Sequence, residues 1–187
     1  NNNIIEQYTY DDSVVDGVNV PPRIYRIITD VTEHGGTIEK GSKVIETAKR
    51  SGKSEKHNAQ TTVEYGSTEL DRSIVNKSQI REVLMAYKNA IYEDLYPERE
   101  KKWEYIPKTL IFAKSDSHAT DIVEIAKEVF KTEFENDELP ENFVQKITYS
   151  SGDSNALIRE LRTEKDFRIA VTVTLVATGT DVKPLEV

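Results

Sequence analysis

The chain is predicted to be an α/β protein with a parallel sheet flanked by helices, and three observations predict it. First, residues 109–113, 143–149 and 168–173 are short runs rich in β-branched and aromatic residues, as buried strands are. Second, the stretches between them carry apolar residues at helical spacing: Ala119, Ile122, Val123, Ala126, Val129 and Phe130 in one, and Leu157, Ile158 and Leu161 in the other. Third, each strand-like run hands over to polar residues, as an open parallel sheet does when it holds a ligand at its carboxyl end. Strands alternating with helices of this length require crossover connections, and hence parallel pairing.

Composition sets the outer limits. A chain of 187 residues buries one core, or one core and an appendage. With 37% hydrophobic and 31% charged residues, the expected surface is well solvated. No apolar stretch approaches the ~20 residues of a membrane-spanning helix, so no membrane partner is expected. Cysteine is absent, which removes disulfides and thiolate metal sites and fits a cytoplasmic location. A net charge of −8 argues against a free-standing nucleic-acid binder, though not against a local contact with phosphates. The chain opens on Asn1-Asn2-Asn3 with neither an initiator Met nor a signal sequence, and is expected to be part of a longer polypeptide.

In chain order, residues 4–20 read as an irregular, acidic lead-in closed by Pro21-Pro22, which fixes an extended conformation. Residues 23–31 read as a strand, Gly35-Gly36 as a reversal, and 37–40 as the returning strand of a hairpin. Residues 41–67 are polar, with Lys49, Arg50, Lys53 and Lys56 clustered, and read as an exposed loop. Ser51-Gly52-Lys53-Ser54 echoes the end of a phosphate-binding loop. Thr47 stands where that motif needs glycine, however, and no buried strand precedes it.

A helix over about 77–96 follows, with Asn76 or Ser78 as N-cap. Ile80, Val83, Leu84, Tyr87, Ile91 and Leu95 lie on one face, and Pro97 ends it. The first strand of the sheet leads through Ala113-Lys114-Ser115-Asp116 into a helix capped by Ser115 or Asp116, and His118 reads as a surface or capping residue. An acidic connector spans 133–142. The second strand ends in Tyr149-Ser150-Ser151-Gly152-Asp153, where serine hydroxyls and free helix amides serve either as an ordinary turn or as a phosphate contact. Asp153 or Ser154 caps the helix to 162, and 168–173 form the third strand, before Thr178-Gly179-Thr180-Asp181-Val182-Lys183-Pro184.

The order and wording of 109–116 and 168–184 resemble the fourth and fifth motifs of superfamily 2 helicases and translocases. Within that group they resemble the R (restriction) subunit of type I restriction-modification enzymes. Asp16-Gly17-Val18-Asn19-Val20, residues 23–33 and residues 70–88 look like the segment between the two motor lobes of such subunits.

The resemblance implies an inter-lobe segment over 1–106, with its hairpin, polar loop and helix. It also implies the N-terminal part of a second RecA-like lobe, of the P-loop NTPase type, over 107–187. Lys114, Ser115, Ser150, Ser151 and Thr172 would meet the DNA backbone, and Gly179 and Asp181 would reach the nucleotide. Glycine allows close backbone approach there, and the carboxylate accepts from a ribose hydroxyl.

The parent would be an ATP- and Mg²⁺-dependent DNA translocase and endonuclease. Its partners would be double-stranded DNA, the modification and specificity subunits, and the first RecA-like lobe of the same polypeptide. Thr174 departs from the pattern, since R subunits commonly carry an acid there. Neither a phosphate-binding lysine loop, nor the Asp-Glu pair of the second motif, nor an arginine finger is present. The stretch alone is therefore expected to bind no cofactor and to be inert. The alternatives are a lobe of another superfamily 2 helicase, of the repair type, and a non-motor α/β ligand-binding module.

Overall fold

The computed structural model describes residues 7–29, 36–38, 43–47, 54–58, 62–65, 74–131, 138–176, 180 and 182–187. Its first element is a short helix, α1 (Tyr10–Val15), in the stretch expected to be irregular. Thr9 and Asp12 explain it: Asp12 N donates to Thr9 Oγ1 at 3.2 Å while Thr9 N donates to the Asp12 carboxylate at 2.9 Å. Each satisfies an amide the first turn leaves open.

Residues 21–29, expected as a strand from 23, join no sheet. They are held instead by Tyr25, whose hydroxyl donates to Asp94 at 2.7 Å, and by Ile27, which packs on the main core.

Among the described residues, the region read as a hairpin and a polar loop contains four short strands, and a fifth follows it. β1 (Gly36–Ile38) pairs antiparallel with β4 (Val63–Tyr65), not with the preceding segment. β2 (Lys43–Thr47) lies between β3 (Ser54–Asn58) and β5 (Ile74–Asn76), antiparallel to both. β3 has no aliphatic or aromatic residue, so a search for alternating apolar positions finds nothing in it. Its pairing to the β-branched Val44, Ile45 and Thr47 of β2 is what makes it a strand. Gly35, Lys49, Arg50 and Lys53 lie outside the described residues.

Helix α2 (Lys77–Ala90) continues into a wider π-helical turn, Ile91–Leu95, and a 3₁₀ turn, Trp103–Tyr105, follows Pro97. Three parallel strands then alternate with two helices: β6 (Thr109–Phe112), α3 (Asp116–Lys131), β7 (Val144–Ile147), α4 (Ser154–Thr163) and β8 (Ile169–Thr172).

The strand order is β6-β8-β7, and the strands are in register at Thr109↔Ile169↔Val144 and Phe112↔Thr172↔Ile147. All four residues of β8 are buried because it has a strand on each side and helices on both faces. Ile169 and Val171 join α2 and α3 in one apolar cluster, while Ala170 points into a second with Leu161 of α4 and Phe167.

Two features refine the expected organisation. Ile80, Leu84, Tyr87 and Ile91 share a cluster with Ile125, Phe130, Val144 and Val171, so α2 packs on the same core as the sheet. Also, Val187 N donates to Lys108 O at 3.2 Å and Leu110 N donates to Val187 O at 2.8 Å. That is the bonding pattern of parallel strands, laid along the outer edge of β6.

Candidate nucleic-acid interface

The three strand ends are laced together at one level. Ala113 N, leaving β6, donates to Thr172 O at 2.7 Å, and Thr172 Oγ1 donates to Ile147 O at 2.7 Å. The β6–α3 and β7–α4 loops therefore leave the same side of the sheet as neighbours. Ser115 caps α3, its hydroxyl accepting from His118 N at 3.2 Å. His118 in turn accepts from Lys114 N at Nδ1, 3.1 Å away, which requires that ring nitrogen to be unprotonated. Burial lowers its pKa accordingly. In the other loop, Asp153 caps α4 by accepting from Ala156 N at 3.0 Å, and Gly152 makes the turn at φ +78°, where a side chain is strained.

Asp116 joins the two loops. Its Oδ1 accepts from Thr148 Oγ1 at 2.5 Å and Ser150 Oγ at 2.6 Å, and its Oδ2 from Lys146 Nζ at 2.9 Å. Lys146 also donates to Thr120 Oγ1 at 3.2 Å and Ser150 Oγ at 3.1 Å. Ser151 Oγ accepts from Thr148 N at 3.0 Å, which closes the turn independently of Asp116.

Hydrogen bonds from Ser150 and Thr148, with the Lys146 ammonium, hold the Asp116 carboxyl at about 2, against the effect of burial. Because this folded pKa lies below the unfolded one, the associated stability is complete above roughly pH 5 and lost as pH falls toward 2. The carboxylate is half exposed, so screening limits the loss to about 1 kcal/mol. Urea unfolding across that range should show it in the native chain and not in Asp116→Asn.

Of the residues expected at DNA, Lys114 and Ser150 are exposed in the two loops, and Ser115 and Ser151 are half-buried there. Thr172 is fully buried, with its hydroxyl committed to Ile147 O, so it ties strand ends together from behind and has no surface open to a ligand. Gly179 and Asp181 lie outside the described residues. Asp116, Lys146 and Thr148 were not expected. The one local hint was Lys146 two residues before Thr148, which puts both on one side of the strand.

No described helix is long and apolar enough to cross a membrane. Comparisons with family profiles, curated proteins and solved structures find no significant match to this chain.

Proposed function

We propose that this chain is part of the R subunit of a type I restriction-modification enzyme. It would supply the beginning of the second RecA-like motor lobe together with the segment that leads into it. The observation that carries this reading is the pair of loops at the carboxyl end of one parallel sheet. They present Lys114 and Ser115 on one side and Ser150 and Ser151 on the other, where the motif resemblance expects DNA contacts.

The strand order also supports it. In the mononucleotide-binding half of a Rossmann sheet successive strands lie side by side, whereas here the third strand is inserted between the first two. With residues 186–187 along β6, the spatial sequence becomes fourth, first, third, second, an arrangement with β6 and β8 at its centre.

In this proposal the loops grip the phosphodiester backbone of double-stranded DNA without reading its sequence. Gly179 and Asp181 take the nucleotide-contacting role that the resemblance implies. ATP and Mg²⁺ are held by the first lobe of the parent polypeptide, which supplies the phosphoryl-transfer chemistry. The modification and specificity subunits complete the assembly.

In the complete enzyme, Asp181→Ala should reduce DNA-dependent ATP turnover and translocation about a hundredfold or more, with an unchanged melting temperature. Lys114→Ala should lower the salt dependence of duplex binding by about one phosphate contact. Normal translocation by both variants would reject the assignment.

A further inference from the structure

Every donor a phosphate needs is present between the two loops, and every one is taken by a single side chain. Thr148 Oγ1, Ser150 Oγ and Lys146 Nζ reach the Asp116 carboxylate at 2.5, 2.6 and 2.9 Å. Two hydroxyls and an ammonium around one anionic oxygen pair form the environment in which proteins hold phosphate oxygens. With the hydroxyl protons directed at Asp116, what Thr148 and Ser150 offer outward is lone pairs, which repel a phosphate. The ammonium of Lys146 is neutralised by the same carboxylate.

We propose that Asp116 is a built-in stand-in for a DNA phosphate: its carboxylate occupies, and thereby guards, a phosphate-oxygen subsite formed by Lys146, Thr148 and Ser150. This rests on the reading of the two loops as a DNA-backbone surface and adds the group that sets how tightly it grips. The Asp116 side chain is half exposed, so it can turn out to solvent while its backbone stays in the first turn of α3. Ser151 keeps the turn closed through Thr148 N, so the vacated donors hold their places. Once Asp116 turns out, the subsite gains a full positive charge and two hydroxyl donors. The grip on DNA is consequently weak and releasable, because each phosphate oxygen must displace a carboxylate already in place.

The test uses the complete enzyme and a fluorescently labelled random-sequence DNA duplex, read by anisotropy at low salt. Asp116→Asn should bind about tenfold tighter than the native enzyme, since it keeps the side chain's size and removes the competing charge. Glu141→Gln removes an equal charge from an exposed position at the opposite, amino end of β7 and should change affinity by about twofold or less. Adding Lys146→Ala to Asp116→Asn should cancel the gain. Asp116→Ser, which abolishes the carboxylate altogether, should reproduce it, so that misfolding of one variant does not decide the matter.

A gain no larger than that of Glu141→Gln, or one that survives Lys146→Ala, overturns the guard role. The two proposals part on Lys114→Ala. If that change leaves the salt slope of binding unaltered, the DNA-backbone reading fails. If it lowers the slope while Asp116→Asn gives no gain, only the guard role fails.

Discussion

Phe130→Ala is expected to destabilise the protein by about 3–5 kcal/mol, a large fraction of the roughly 5–15 kcal/mol that holds a domain of this size together. Phe130 is fully buried on α3, and its ring lies 5.8 Å from that of Phe143, just before β7. Phe143 in turn meets Trp103 edge-on at 6.5 Å, so one ring stack ties α3, the sheet and the 3₁₀ turn together. Alanine removes the middle of the cluster shared by α2, α3 and the sheet, and the helices around it are too constrained to close the gap. Urea unfolding should show a lower midpoint with little change in slope. Phe130→Leu should recover more than half of the loss by refilling the volume. A midpoint within error of the native chain would show that this cluster is not the unit's core.

Lys77→Met should cost about 2–3 kcal/mol at neutral pH. Asp121 is fully buried on α3, and Lys77 Nζ, at the start of α2, lies 2.9 Å from its Oδ1 and 3.3 Å from Glu124. The hydrogen bond to Asp121 is the main reason the Lys77 pKa is raised. Removing the ammonium breaks an ion pair one member of which is a fully buried carboxylate, and breaking such a pair from one side is costly. Lys77 is itself partly exposed, so water recovers some of that cost.

The pH dependence fixes the cause. The ion pair exists only while the Asp121 carboxyl is charged. The penalty is therefore full at neutral pH and fades as acid protonates the carboxyl. Asp121→Asn in the Lys77→Met background should restore most of the stability at pH 7. A penalty that does not vary with pH, or no rescue by asparagine, would rule this account out.

The parallel unit was legible because its strands and helices bury apolar faces with the period of each element. Ile169 and Val171 look one way and Ala170 the other, and Ile122, Ile125, Ala126 and Val129 line one side of α3. The caps at Ser115 and Asp153 were legible too, since they depend on neighbours three residues away. The antiparallel strands were not, because β3 has only polar residues and exists through its ladder to β2.

The Asp116 network was hidden for a related reason. Its partners lie 30, 32 and 34 residues on, and only the pairing of β7 with β8 brings them alongside. Thr172 was expected at the DNA backbone from the motif resemblance alone. It is internal because its strand is the central one.

The position of β8 has a consequence for how the molecule assembles during synthesis. Although last in sequence of the three, it separates the other two, so β6 and β7 are joined only through it. A nascent polypeptide that has emerged only as far as α4 holds two strands with no common neighbour, and their apolar faces must wait on the ribosome for the final insertion. Sheet formation is thereby tied to contacts far apart along the chain, which makes folding slow and a late, nearly all-or-none event.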